Sequence, residues 1–138
     1  MAQTTVAQGK CLCGAIKFTL VGEPDKSIVC YCSDCRKGSG SIGQFMSEFD
    51  TVNVHIEDPQ SKMTVLNITQ TASGIRKEKH FCASCGCTIL TKPMRHHGKK
   101  VFVRTVLVDE GYERFIPQSA IFTAEKPSFV QVDLCVDQ

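Results

Sequence analysis

Residues 29–41, "VCYCSDCRKGSGS", decide how this chain is read: Cys30, Cys32 and Cys35 fall within six positions, and a basic, glycine-rich run follows directly. A disulfide takes two thiols and a closed zinc site takes four ligands, so a compact trio predicts a metal ion held with one position free. A free position is what separates catalytic from structural zinc.

The remaining cysteines support that division. There are nine in all, an odd number spaced as close pairs, which suits thiolate ligation better than a disulfide framework. Cys11 and Cys13 form a C-x-C and Cys82 and Cys85 a C-x-x-C followed by Gly86. Joined, the pairs predict a closed tetrahedral site across some 70 residues of chain, a structural zinc. Two zinc ions per chain follow. Cys87 is weighed both as a possible extra ligand and as a small buried hydrophobe, and Cys135 as a packed or loose thiol. In the alternative to an open trio, a fourth ligand closes the second site, drawn from Cys87, His80, His96, His97 or Cys135.

Length and composition narrow the function further. The 138 residues suit one domain, with residues 1–9 expected to be a flexible N-terminus and 10–138 a single zinc-binding domain. The formal charge of +2, from 16 basic and 14 acidic residues, provides no basic surface for nucleic acid. No apolar run approaches a membrane span, and the first residues lack the apolar core of a secretory signal. A cytoplasmic protein with a small-molecule partner is expected, and the sequence leaves open whether it is a homo-oligomer.

Periodicity predicts a mostly β domain. Residues 10–20, "KCLCGAIKFTL", alternate with Leu12, Ile16, Phe18 and Leu20 on one side and Cys11, Cys13, Lys17 and Thr19 on the other. One strand there would set the two cysteines about 7 Å apart on one face. Further strands are expected at 51–56, 63–68, 87–91, 100–108 and 128–134, rich in β-branched residues and bounded by turn formers. Helix is expected only after Cys32 and at "DEGYERF".

Around the trio, Arg36 and Lys37 offset thiolate charge, and with Ser39 and Ser41 they offer an anion a cationic, hydroxyl-bearing loop. His80, just before "FCASC", is the candidate acid or base, with Asp34 or water as alternatives, while His96 and His97 mark an exposed turn.

With "GKCLCGAIKF", "CYCSDCRKGSGS" and "FCASCGCTIL" in this order, the chain resembles the glutathione-dependent formaldehyde-activating enzyme family, which includes the centromere protein V type, over residues 9–132. The resemblance implies small antiparallel sheets in a β-tent arrangement over two zinc sites. It also implies Cys11, Cys13, Cys82 and Cys85 as structural ligands and Cys30, Cys32 and Cys35 as catalytic ones. Carbon–sulfur lyase activity follows, with glutathione as cosubstrate: its thiolate adds to formaldehyde to give S-hydroxymethylglutathione, or the reverse. The chain departs from common members at Phe129, where Trp is frequent, at Ser119 and Ala120, where a His often precedes the Ile, and at Cys87. These departures bear on the substrate pocket. They keep one alternative in view, a zinc Lewis-acid lyase, decarboxylase or isomerase for another carbonyl or carboxylate metabolite; a second alternative, a non-catalytic zinc-stabilised binding module, holds if a fourth ligand closes the trio's site.

Overall fold

A computed structural model describes residues 6–131 and the backbone of Cys135–Val136. Its strands are β1 (Val6–Lys10), β2 (Lys17–Val21), β3 (Lys26–Cys30), β4 (Gln44–Asp50), β5 (Val54–Glu57), β6 (Met63–Ile68), β7 (Lys77–Cys82), β8 (Thr88–Pro93), β9 (Lys100–Val103), β10 (Ser119–Ile121) and β11 (Cys135–Val136). The α-helix among the described residues is α1 (Ser33–Ser39). The chain is mostly β, as expected.

The strands form two sheets, β1-β2-β5 and β11-β10-β3-β4-β9-β8-β7-β6. Pairing is antiparallel except at β10, which runs parallel to β3 and β11. The larger core joins both sheets: Phe18 and Leu20 from β2 pack with Phe49, Ile89, Val101 and Val103. Because strand side chains alternate, Phe102 points the other way from Val101 and Val103, into a second cluster with Ile28, Cys30 and Met46. One cysteine group borders each cluster: Cys11 and Cys82 belong to the larger core, and Cys32 and Cys35 pack on the smaller.

Several sequence expectations are corrected. Residues 6–9, expected to be flexible, pair as β1 with β2, while residues 1–5 lie outside the described part. The single strand over 10–20 is two strands and a turn. Cys11 N donates to Ile16 O (3.0 Å) and Gly14 N to Cys11 O (3.0 Å), folding the C-x-C into a knuckle. Leu12 is consequently 84% exposed rather than inward. The 51–56 candidate is a 3-10 turn followed by β5, and 100–108 ends as a strand at Val103. At 128–134, residues 128–131 form no strand and 132–134 lie outside the described residues. The 63–68 strand matches β6, and the helical turns fall at α1 and at Tyr112–Phe115.

Strands β4 and β7 escape a hydrophobicity reading because they carry polar side chains. In β4, buried Ser47 bonds Ser27 Oγ (2.7 Å) and Thr105 Oγ1 (2.9 Å), so its hydroxyl is satisfied inside the sheet.

Candidate active site

The knuckle of Cys11 and Cys13 meets the C-x-x-C turn that leaves β7. The Sγ atoms of Cys11, Cys13, Cys82 and Cys85 all lie within 4.8 Å of one another, with Cys11–Cys13 at 3.6 Å and Cys13–Cys82 at 3.7 Å. Thiolates about 2.3 Å from a tetrahedral zinc sit about 3.8 Å apart, so this donor set fits such an ion. Gly86 holds φ +79°, the left-handed conformation that closes the turn, and its N–H donates to Cys82 O (2.8 Å). Ile16 N–H points at Cys11 Sγ (3.4 Å). Cys85 is drawn down to about 6: burial opposes ionisation, but backbone N–H groups of Cys87 and Cys13, with the Cys11 and Cys82 thiols, outweigh it.

The second group forms where β3 enters α1. Cys30 ends the strand, and Cys32 caps the helix, its Sγ accepting from Cys35 N (3.4 Å). Cys35 lies one turn on, and the three Sγ atoms lie within 4.8 Å of one another. Among the described residues, no fourth Cys, His, Asp or Glu joins them. Shared hydrogen bonds from Cys30 and Cys35 pull Cys32 down to about 2, aided by Lys77, whereas bonds to Cys32 and Cys35 and burial push Cys30 up. Such a cluster releases its remaining protons when a cation takes their place.

Gly43, opening the return into β4, makes room for the trio. A Cβ there would stand 2.9 Å from Cys30 O and 3.0 Å from Tyr31 Cδ1.

The trio borders a cavity of about 770 Å³. Apolar walls come from Ile28, Met46, Leu66, Ile68, Phe102 and Phe122, and cationic side chains from Lys37, Arg76, Lys77, Lys79, Arg95 and Arg104. Asp34, between the helix cysteines, reaches Lys77 Nζ at 3.1 Å.

Of the sequence-predicted residues, Lys37 and Asp34 line this cavity; Arg36, Ser39 and Ser41 do not. Ser39 Oγ donates to Gly43 O (2.8 Å) and accepts from Ser41 N (3.2 Å), so these serines shape the loop. His80 also lies off the cavity: alternation along β7 sends Lys77 and Lys79 toward it and Glu78 and His80 away, with Glu78 Oε1 3.1 Å from His80 Nε2. Cys87 stands outside both groups, its Sγ accepting from Leu12 N (3.3 Å) beside the first. His96 ends a 3-10 turn that His97 caps, and neither joins a cysteine group, while the Cys135 side chain lies outside the described residues. Phe129 is 78% exposed and off the cavity, whereas Ile121 and Phe122 after Ala120 line it.

Arg104 was missed from sequence. It follows β9, is 7% exposed and lines the cavity. Nη2 donates to Thr91 Oγ1 (2.7 Å), and Nη1 to Phe102 O (3.4 Å) and Met46 Sδ (3.7 Å). Burial lowers it to about 10, opposed by the thiolates of Cys35, Cys30 and Cys32. An arginine interrupting the apolar run "KVFVRTVLV" was the signal that could have found it.

Residues 6–125 match the family model described as glutathione-dependent formaldehyde-activating enzyme. A solved Rhodobacter sphaeroides protein is similar in fold: TM-score 0.61, 17% identity, covering 82% of this chain and 97% of that one. No curated protein matched the chain.

Proposed function

This chain belongs to the glutathione-dependent formaldehyde-activating enzyme family, and from that premise we propose that it is a zinc-dependent carbon–sulfur lyase that makes or cleaves S-hydroxymethylglutathione. The observation that carries the reading is the trio at the cavity, three thiols with no fourth ligand among the described residues. In this reading Cys11, Cys13, Cys82 and Cys85 hold a structural zinc, within a single domain that works in the reducing cytoplasm. Cys30, Cys32 and Cys35 hold the catalytic one, which supplies Lewis acidity and keeps an added thiol ionised near neutral pH.

The chain's own groups do the rest. The cavity walls separate the reacting atoms from bulk water, and Lys37, Lys77, Lys79 and Arg104 suit the two carboxylates of glutathione. In the forward direction a bond forms between the thiolate sulfur and the aldehyde carbon, the carbonyl π pair moves to oxygen, and oxygen takes a proton. The Lys77–Asp34 pair holds an exchangeable proton on the wall beside the trio, a better-placed source than His80.

A second reading keeps the trio but changes the substrate to a more apolar carbonyl or carboxylate metabolite. The apolar side of the cavity, from Ile28 and Met46 through Phe102 to Phe122, favours it.

NMR exchange spectroscopy of ¹³C-formaldehyde with glutathione tests the first reading. The protein should speed exchange between free aldehyde and adduct, and Cys32→Ala should abolish that gain. No acceleration by a protein loaded with two zinc ions would remove glutathione chemistry and leave the second reading.

A further inference from the structure

Arg104 is a buried cation without an anion of its own. Its Nη donors end on a hydroxyl, a carbonyl and a thioether, all neutral, and its Nε is buried with no acceptor. Among the described residues, no carboxylate pairs with it. Burying a guanidinium in this way is costly unless a nearby negative charge offsets it. The groups that can supply that charge are Cys30, Cys32 and Cys35, which line the same cavity and pack with Met46, an Arg104 partner, and which become thiolates when a cation displaces their protons. The other cations that line the cavity, Lys37, Arg76, Lys77, Lys79 and Arg95, are none of them buried, so solvent screens them more, and Lys77 already has Asp34.

Charge at the trio makes sense of this placement. Three thiolates on a divalent ion leave −1, and an anionic fourth ligand takes the site to −2, a change that repulsion opposes in a partly dry cavity. We propose that Arg104 is a fixed countercharge that lets the position left free by Cys30, Cys32 and Cys35 accept an anionic ligand, a thiolate or a small oxyanion, in preference to a neutral one. The inference rests on the open-site reading above. It assigns Arg104 a positioning role: it sets which charge the site accepts, and Thr91 fixes where the guanidinium stands through the 2.7 Å bond.

The test uses the full chain with cobalt(II) in both sites, whose visible spectrum reports ligands entering the open position. Azide serves as the anionic probe and imidazole as the neutral one. Arg104→Met should weaken azide roughly tenfold or more, the effect Coulomb's law gives for a unit charge removed from within about 10 Å at an effective dielectric near 20. Imidazole affinity should stay within about twofold, and Arg104→Lys should restore most of the azide affinity. Should Arg104→Met not fold, Arg104→Gln, which keeps a donor for Thr91, carries the same comparison. A wild-type spectrum that responds to azide while the charge-removing variant binds it equally well overturns the countercharge and leaves the open site standing. Equal loss of azide and imidazole also overturns it, marking Arg104 as structural. A wild-type spectrum that responds to neither probe overturns the open-site reading, and the countercharge with it.

Discussion

Asp34 Oδ2 lies 3.1 Å from Lys77 Nζ, tying the helix that carries Cys32 and Cys35 to strand β7 across the cavity wall. The tie matters because α1 is seven residues long and buries none of them, so little packing holds it. With both groups partly exposed, the pair contributes no more than about 1 kcal/mol to global stability. Its larger effect is local. Asp34→Asn should change the melting temperature little yet release metal from the trio several-fold faster, read by transfer to a colorimetric chelator. A release rate equal to that of the wild type would mean the thiols alone hold the helix in place.

The two cysteine groups should respond to mutation in opposite ways. Cys82 is fully buried in the larger core and ends β7, so its group joins the β1–β2 knuckle to the β7–β8 hairpin. Cys82→Ala should cost at least about 3 kcal/mol in urea unfolding, since lost metal binding is lost folding free energy. Cys32→Ala, at the N-cap of a short helix beside the smaller core, should leave a cooperative transition close to that of the wild type with one zinc per chain instead of two. Elemental analysis with the unfolding curve decides both.

Glycine at position 43 is required by the close approach of β4 to the trio's strand. A methyl group 2.9 Å from Cys30 O and 3.0 Å from the Tyr31 ring has no flexible neighbour to push aside. Gly43→Ala should therefore destabilise by about 1–3 kcal/mol and reduce occupancy of the trio's metal while the other stays bound. Urea titration and zinc stoichiometry test it together.

The site was legible because ligand chemistry is written in spacing. C-x-C, C-x-C-x-x-C and C-x-x-C-G sorted seven cysteines into the two groups the fold assembles, although the four-cysteine group joins parts of the chain some 70 residues apart. What the sequence hid was orientation. Read as a strand, residues 10–20 place Cys11 and Cys13 on one face by alternation, whereas in the fold the turn through Gly14 brings the two thiols together. Strand β7, "KEKHFC", reads as charged surface because its lysines face a cavity and its Glu78 and His80 pair on the other side. Only recognition of that strand separates Lys79 from His80 as a cavity residue. Arg104 was hidden for a related reason: its partners, Thr91 and Met46, lie 13 and 58 residues away in sequence.

Cys87 sits beside four thiols without joining them. Its Sγ accepts from Leu12 N at 3.3 Å, and its carbonyl accepts from Cys82 N at 2.9 Å, so its backbone supports the hairpin whatever its side chain. Cys87→Ala removes only the sulfur acceptor, worth about 1 kcal/mol or less at a half-exposed site. Metal content should remain at two per chain, and the thiols reactive in the folded protein should fall by one. Loss of a metal ion would make Cys87 a ligand.

His80 and Glu78 pair on the side of β7 away from the cavity, Arg76 just before the strand also bonds Glu78 (2.9 Å), and the sign of the pH dependence follows from Glu78. Hydrogen bonds from Arg76 first, then His80, hold that carboxyl below its ordinary 4.5. A carboxyl depressed in the folded state adds stability that is fully present above its unfolded value and is lost as pH falls through the folded one. Wild type minus Glu78→Gln should therefore show a constant gap in unfolding free energy from neutral pH down to about 5, closing below it. Catalysis should not follow that gap. If the pair is structural, as its placement off the cavity implies, His80→Gln should retain activity within about threefold in the formaldehyde exchange assay. A loss of two orders of magnitude with the melting temperature unchanged would return His80 to the reaction and would require β7 to turn that side chain toward the trio when substrate binds.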